Sequence, residues 1–332
     1  MKGKSLNFCI KALAASIPAN CEHNENLTIF NEGEKRLSLK TLGIRKRHIE
    51  ILGRRASFFA LDAAERIFAA QPKAREAISC LIYITQTPDF ITPATSIWLQ
   101  NKLGLGQHCL CFDVNLGCSG FVNGLLLAEA ILTQQGGGMA LLLTSDISSA
   151  LIKEGDTSTQ PIFSDGGSAT LIEQSSNTPN SYGLFGNDGK GYQAIFKDHP
   201  LWNPYPDYLK MQGLDILNFT LKTVNENISA CMQDAGESIE SIDYFLLHQA
   251  GQLINEGIRK KLEIPKDKYL YSLQEYGNTS SSSIPITMIH NAENFSSVEA
   301  QRVLMCGFGV GLSWGTIITQ IQDCLFLGIV EV

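Results

Sequence analysis

The sequence lacks several features that mark particular classes of protein. It has no run of about 18 apolar residues, so we predict no segment that spans a membrane. Its formal net charge of −7 argues against a nucleic-acid surface, because phosphate binding usually needs a basic face. The first residues, 1–10, hold too short an apolar stretch for a signal peptide. With 44% hydrophobic residues, the chain is expected to be a globular, cytoplasmic protein.

The cysteines also lack any pattern of a metal site or a disulfide framework. There are nine, an odd number, and no C-x-x-C pair occurs. Cys109 and Cys111 are separated by one residue, which is not a zinc-knuckle spacing. We therefore expect reduced, mostly buried thiols and no metal, and ask whether one cysteine has a special setting.

Apolar strand-like runs alternate with helical patterns, which is typical of an α/β protein. Ser57 is predicted to cap the N-terminus of a helix at 57–70. The predicted strands are 77–85, 109–115, 139–145, 244–248 and 303–306, and the predicted helices are 57–70, 95–103, 119–134, 213–235 and one ending near 262. Ser, Asn, Gly and Pro dominate around 174–192, which predicts a linker.

Two Gly-rich segments suggest a duplicated α/β unit. Residues 163–173 and 306–319 each place a Gly-rich turn before a strand, one near the end of each half. We predict an N-terminal half at 1–175 and a C-terminal half at 176–332. A site shared by the halves would lie at the carboxyl ends of the strands.

Cys118 follows a predicted strand and precedes a predicted helix, with Gly117 and Gly120 beside it. The glycines allow a tight turn that presents the thiol to a cleft. The unpaired N–H groups at a helix N-terminus favour thiolate and lower the pKa of a cysteine, and they can hold an oxyanion. The alternative is a buried structural thiol, and the turn alone does not decide between them.

Two further residues extend the candidate site. His248 ends an apolar strand, where an imidazole can act as acid, base or hydrogen-bond donor, or can be a satisfied core histidine. Asn278 follows a glycine and precedes a serine run, so it is either a turn residue or a fixed neutral donor. The loop 307–311 lacks a phosphate-loop ending, and a backbone N–H aimed at a carbonyl oxygen explains its glycines better.

The order Cys, His, Asn also occurs in papain-like proteases, so order alone cannot assign a function. The surroundings argue against a protease. No C-G-[SA]-C-[WY] sequence surrounds Cys118, and the chain has no secretory features.

Several motifs together resemble one known family. They occur in the family's order across most of the chain, at residues 42–48 (with Leu42 in place of the usual Thr), 112–121, 163–169, 247–250, 276–280 and 307–315. On these motifs the sequence resembles β-ketoacyl-ACP synthase III of the thiolase-like superfamily.

The resemblance implies a five-layered αβαβα fold made of two duplicated halves, and a homodimer without a cofactor. It implies that Cys118 accepts an acyl group from acyl-CoA or acyl-ACP. His248 and Asn278 would then hold the thioester carbonyl of malonyl-ACP, whose decarboxylation leaves an enolate that attacks the acyl group. Neutral donors suit an enolate, as a carboxylate would not. The oxyanion of acyl transfer would lie against the backbone of Cys118 and of Gly309, Val310 and Gly311.

The resemblance also places residues 87–93 near the acyl pocket and the dimer interface. Within this segment it assigns Phe90 and Thr92 to those surfaces, with Thr92 where some relatives have a bulky Phe. We expect the acyl preference to differ accordingly.

Two positions depart from the family members that use acetyl-CoA. Those members usually carry Trp and Arg before the 42–48 motif, where this chain reads Arg36-Leu-Ser-Leu-Lys-Thr41. Leu253 stands where the family often has Arg. Both changes favour an acyl-ACP donor, or a dedicated lipid, polyketide or polysaccharide-modifying pathway outside bulk fatty-acid synthesis.

The helix after His248 carries a basic cluster of Arg259, Lys260 and Lys261. These side chains are either a docking site for an acidic carrier protein or a solvated helix face. Two other functions stay open at this point. One is an acyltransferase that passes the acyl group from Cys118 to an alcohol or amine, and the other is a catalytically silent partner subunit.

Overall fold

The computed structural model describes residues 3–175, 181–199, 201, 203, 207–296 and 299–332. Its strands are β1 (Lys4–Leu6), β2 (Phe8–Ile17), β3 (Cys21–His23), β4 (Lys46–His48), β5 (Ile78–Ile84), β6 (Leu110–Val114), β7 (Met139–Asp146), β8 (Gly166–Gln174), β9 (Ser181–Asn187), β10 (Ile195–Phe196), β11 (Lys210–Met211), β12 (Tyr244–Leu247), β13 (Gln301–Gly309), β14 (Ser313–Ile321) and β15 (Leu325–Glu331). Its helices are α1 (Glu32–Leu42), α2 (Ala56–Ala70), α3 (Ala74–Ala77), α4 (Thr95–Lys102), α5 (Gly120–Gln135), α6 (Gly213–Phe219), α7 (Asn225–Ala235), α8 (Gln252–Lys261), α9 (Leu273–Tyr276) and α10 (Ser283–His290).

Two mixed sheets form the centre of the molecule. The first has the strand order β15-β2-β8-β7-β5-β6, and the second has the order β1-β9-β14-β13-β12. Helices α5 and α10 lie between the sheets and contact strands of both. Helices α2 and α4 cover the outer face of the first sheet, and α7 and α8 cover that of the second. The five layers confirm the predicted αβαβα thiolase-like fold.

Burial explains the composition of these helices. Helix α5 packs on both sheets and is therefore apolar on several sides, with Phe121, Val122 and Leu125 fully buried. Helix α2 packs on one sheet through small residues such as Ala60 and Ala64, which let its backbone approach the strands closely. None of the described helices is both long and apolar enough to cross a membrane.

The terminal strands each join the sheet of the opposite half. Strand β1 pairs antiparallel with β9, and β15 pairs parallel with β2. The N-terminal strand therefore lies in the second sheet and the C-terminal strand in the first. The division into 1–175 and 176–332 stays a prediction. The structure adds that each terminal strand pairs in the sheet formed mainly by the other half.

Two local predictions are wrong. Residues 181–187 of the predicted linker form β9, which pairs with β1 and β14 inside the second sheet, whereas 176–180 lie outside the described residues. Ser57 does not cap α2: the helix begins at Ala56, and the Ser57 hydroxyl donates to Asp89 at 2.6 Å. The predicted helix at 213–235 is present, with a π-helical turn at Thr220–Val224 between α6 and α7.

Candidate active site

A cavity of about 670 Å³ connects the surface with the carboxyl ends of the central strands. Cys118, His248 and Asn278 all line it. The other walls are mainly apolar and come from α1, β10, β11, α6 and α8. The predicted catalytic residues therefore meet in one site, although 130 residues separate the first two.

The mouth of the cavity is apolar as well. Leu37 of α1, Leu214 of α6 and Leu253 of α8 line it and are 62%, 77% and 55% exposed. The described residues that line the cavity include one acidic side chain, Glu34, but no lysine or arginine. The walls of the entrance therefore offer mainly apolar contacts to an incoming ligand.

Cys118 lies in the turn between β6 and α5, and it is 7% exposed. Glycines of β13 approach it closely. A Cβ on Gly307 would lie 2.9 Å from the Cys118 carbonyl oxygen, and one on Gly309 would lie 3.0 Å from Sγ. A side chain at either position would collide with the turn. The two halves are thus packed directly against each other at the thiol.

Backbone N–H groups of both halves act on the Cys118 sulfur. Those of Cys118 and Val310 donate to it and lower the pKa of the thiol. Gly309 and Gly311, on either side of Val310, have positive φ values of 157° and 137°, which favour glycine. The turn that the sequence assigned to an oxyanion hole therefore directs at least one N–H toward Cys118.

The ionisation of Cys118 differs from the expectation. Burial, followed by the charge of Asp146, raises the pKa of the thiol to about 12, and the two N–H groups oppose this only in part. The prediction of a lowered pKa is therefore wrong for this structure. The helix terminus was visible in the sequence, whereas the burial of the thiol between the halves was not. Burial therefore favours the protonated form of the Cys118 thiol.

His248 follows β12 and is 1% exposed. Its backbone N–H donates to Cys306, and its Nδ1 lies 2.7 Å from the Ser283 hydroxyl. Burial lowers the pKa of His248 to about 3, so the imidazole is neutral. Since a hydroxyl can donate or accept, Ser283 is compatible with either neutral tautomer.

The Asn278 side chain is oriented by its own turn. Its Oδ1 accepts the Ser280 N–H at 2.9 Å, which leaves Nδ2 facing His248 Nε2 at 3.4 Å. Its backbone pairs with the first half, since the Asn278 N–H donates to Ile162 O at 3.0 Å. An amide and a neutral imidazole thus converge on one point of the cavity, the arrangement needed to hold a carbonyl oxygen on which negative charge develops.

Phe90 and Thr92 do not line the cavity within this chain. Phe90 packs edge-on against Trp98, and the Arg55 guanidinium lies 5.2 Å from its ring centre. Thr92 is exposed on the surface. Their assignment to an acyl pocket formed with a second subunit stays a prediction.

The predicted basic cluster is split by the fold. Arg259 is 8% exposed, pairs with Glu256 at 2.9 Å and donates to Ile264 O at 2.8 Å. Its prediction as a docking residue is wrong, because it faces inward and already has partners. Lys260 and Lys261 are exposed, and Lys261 Nζ donates to Leu221 O.

Several residues around the site escaped the sequence reasoning. Ser283 belongs to a serine run whose sequence indicates only a turn, yet its hydroxyl contacts His248, and Ser119 and Ser313 form a hydrogen bond at 2.6 Å. Gln86 lines the cavity and directly precedes the 87–93 segment that the resemblance indicated. Hydroxyls and amides of this kind carry no sequence signal, since their partners are distant in the chain.

The comparisons with known proteins agree with one another. The chain matches the family model of 3-oxoacyl-[acyl-carrier-protein (ACP)] synthase III over residues 112–187 and its C-terminal model over residues 232–321. It is 31% identical over 324 residues to the β-ketoacyl-[acyl-carrier-protein] synthase III of Lactococcus lactis subsp. lactis, covering 94% of this chain and 98% of that one. With the Clostridium perfringens enzyme of the same name it shares 30% identity over 316 residues, covering 92% and 96%.

Among solved structures, it is similar to the 3-oxoacyl-(acyl-carrier protein) synthase of Burkholderia xenovorans LB400. The TM-score is 0.93 at 29% identity, with 100% of this chain and 99% of that chain covered. A priming β-ketosynthase of the R1128 polyketide pathway shares the fold at a TM-score of 0.87 and 22% identity, covering 96% of this chain and 98% of that one.

Proposed function

Because the chain belongs to the β-ketoacyl-[acyl-carrier-protein] synthase III family of acyltransferases, we propose that it catalyses a decarboxylative Claisen condensation on an acyl group carried by Cys118. The observation that best supports this proposal is that His248 Nε2 and Asn278 Nδ2, which are 3.4 Å apart, face the cavity that holds the Cys118 thiol. Two neutral donors and a thiol in one apolar cavity are the groups that this reaction needs.

The first half-reaction loads Cys118. The sulfur attacks the thioester carbonyl of the donor, and the oxygen takes up negative charge against the Cys118 and Val310 N–H groups. The bond to the donor sulfur then breaks, and the proton lost by Cys118 leaves with the donor as its thiol. Because burial raises the pKa of Cys118 and favours the protonated thiol, we expect this proton to leave as the new bond forms.

The second half-reaction forms the carbon–carbon bond. His248 and Asn278 hold the thioester oxygen of malonyl-ACP, and the bond to the carboxylate breaks with release of CO₂. The electron pair of the broken carbon–carbon bond moves into the enolate. The enolate carbon then attacks the carbonyl carbon of the acyl group, and the bond from that carbon to the Cys118 sulfur breaks. The Cys118 thiolate then takes up a proton from water and the thiol is restored.

The low pKa of His248 favours condensation over simple acyl transfer. Activation of an alcohol or amine by His248 would require a general base with a pKa closer to neutral, whereas burial lowers this one to about 3. A neutral imidazole is well suited to donate a hydrogen bond to an enolate.

The test is to offer malonyl-ACP to enzyme that carries a radiolabelled acyl group on Cys118. We expect release of CO₂ in equal amount to the β-ketoacyl product, no loading of Cys118→Ala, and normal loading of His248→Ala without condensation. Acyl transfer to a nucleophile without CO₂ would contradict the proposal. Absence of a covalent adduct in the wild type would instead indicate a silent subunit.

The cavity mouth supports an acyl-ACP rather than an acyl-CoA donor. Leu37 and Leu253 lie at the entrance, and the described lining residues provide no cation for the phosphates of CoA. Next to Leu253, a shallow groove is lined by Lys40, Lys260 and Lys266, three exposed cations that suit an acidic carrier protein. Loading rates with the same acyl group on ACP and on CoA test this, and equal rates would contradict it.

A homodimer is supported by the edge of the first sheet. Strand β6 is its last strand, and Leu110 and Phe112 on one face of β6 are 45% and 43% exposed. An exposed apolar edge strand is a template for pairing with a second chain. We expect a dimer by sedimentation and a weaker one for Leu110→Lys.

The nine free thiols fit a reducing cytoplasm.

A further inference from the structure

Gln86 places an unpartnered amide beside the nucleophile. Its backbone N–H donates to Asp146 at 2.6 Å, but its side chain makes no hydrogen bond to the described residues and lines the cavity. A Cβ on Gly117 would lie 2.3 Å from Gln86 Oε1. The amide is therefore packed against the residue that precedes Cys118.

Ser148 adds an unpartnered hydroxyl close to Gln86, since the N–H of Ile147, the residue before it, donates to Thr87, the residue after Gln86. It follows β7, is 4% exposed and lines the cavity, and its hydroxyl has no partner among the described residues. Polar groups of the residues on either side of Ser148 already have hydrogen-bond partners. The Ile147 N–H donates to Thr87 and the Ser149 hydroxyl donates to Asp165, so these contacts fix the turn and leave Ser148 free.

The two ends of the cavity thus differ in character. At the mouth, Leu37, Leu214 and Leu253 are apolar and more than half exposed. At the thiol end, the half-buried Gln86 amide and the buried Ser148 hydroxyl offer hydrogen bonds. A plain alkyl chain bound there would leave both polar groups without partners, which disfavours its binding.

We propose that Gln86 and Ser148 select an acyl group with a polar substituent near its thioester, one that both donates and accepts hydrogen bonds, a hydroxyl being the smallest. The inference rests on the proposed loading of Cys118 and adds the class of acyl group. A site that hydrogen-bonds a substrate hydroxyl rejects the analogue that lacks it far more strongly than an apolar pocket rejects an extra methylene.

The experiment compares two donors that differ by one hydroxyl. Butanoyl and 3-hydroxybutanoyl groups are offered on the same carrier protein, and intact-mass analysis gives the rate of Cys118 loading. We expect the wild type to prefer the hydroxylated donor by about tenfold or more. Gln86→Leu and Ser148→Ala should each reduce this ratio, chiefly by slowing the hydroxylated donor.

Controls separate the possible failures. Ser158 also lines the cavity, but its hydroxyl already donates to Asp156 at 2.8 Å, so Ser158→Ala should leave the ratio unchanged. Gln86→Met preserves the length of the side chain if Gln86→Leu fails to fold. Equal or faster loading of butanoyl by the wild type overturns the acyl class while leaving the loading of Cys118 intact. No loading by any of a panel of acyl donors overturns the proposed function instead.

Discussion

Ser119 Oγ and Ser313 Oγ lie 2.6 Å apart and join the nucleophile turn to the first residue of β14. Ser313 Oγ in turn donates to the Val310 carbonyl oxygen, also at 2.6 Å. Both serines are buried, at 0% and 2% exposure. The two hydroxyls therefore connect Ser119, the residue after Cys118, to the carbonyl oxygen of Val310 in the other half, and this restrains the peptide unit on the C-terminal side of Val310.

We predict that Ser119→Ala and Ser313→Ala each slow the loading of Cys118. Each should cost about fivefold, because one net hydrogen bond contributes about 1 kcal/mol. The losses should not add in the double variant, since either change breaks the same chain. Single-turnover loading with an acyl thioester measures the effect.

Alkylation of Cys118 by iodoacetamide provides the control, because it needs the thiolate but forms no oxyanion. It should change much less than loading in both variants, and Ser313→Thr should restore loading by retaining a hydroxyl. If alkylation and loading fall together, the serines support the fold of the turn rather than the position of Val310.

Asp146 is predicted to restrain the reactivity of Cys118. Burial raises the pKa of the Asp146 carboxyl to about 6, so it is charged above that pH, and this charge raises the pKa of Cys118. Asp146→Asn removes the charge, so the pKa of the thiol falls and more thiolate is present at pH 8. Alkylation should become about threefold faster or more, since one pKa unit is about tenfold in thiolate.

A second buried carboxyl supplies the matched control. Burial raises the pKa of Asp165 to about 6 as well, but its partners are Glu50 and Ser149 rather than the nucleophile turn. Asp165→Asn should therefore leave the alkylation of Cys118 unchanged, as followed by peptide mass spectrometry. A slower reaction of Asp146→Asn would contradict the electrostatic argument.

The sequence predicted the centre of the site because its signals are local. Cys118 and His248 each follow a strand, and α/β sheets gather the carboxyl ends of their strands. The properties that failed depend on distant packing. The pKa of Cys118 is raised mainly by burial between the halves. Arg259 is buried because Glu256 and the Ile264 carbonyl oxygen hold its guanidinium. Strand β9 forms because its neighbours β1 and β14 pair with it on either side.

Ser283 is predicted to act as a positioning residue for His248. Its hydroxyl is 2.7 Å from Nδ1, and when it donates there, the Nε2 proton faces the cavity. Ser283→Ala should slow CO₂ release by about tenfold, given that an unsatisfied buried polar group costs about 1–3 kcal/mol. The loading of Cys118 should stay nearly unchanged, because it does not use His248 as a donor.

The neighbouring serine separates a positioning effect from a structural one. The Ser282 hydroxyl contacts Thr144 instead of His248, so Ser282→Ala should alter CO₂ release much less. Ser283→Thr should restore most of the rate. Equal losses for loading and CO₂ release in Ser283→Ala would show that the variant has damaged the site as a whole.

Lys260 and Arg259 are adjacent in α8, and the structure predicts opposite effects for them. Lys260 is exposed beside the cavity mouth, so Lys260→Glu should raise the KM for acyl-ACP without changing the melting temperature. Arg259 is buried, bonded to Ile264 and paired with Glu256, so Arg259→Gln should lower the melting temperature and leave the KM nearly unchanged.

Both variants are assayed with acyl-ACP at low and at high salt, where screening at high salt should remove the Lys260 effect. An acyl-pantetheine donor, which has no protein surface to dock, should react equally well with wild type and Lys260→Glu. A raised KM for Arg259→Gln at unchanged stability would restore Arg259 to the docking surface.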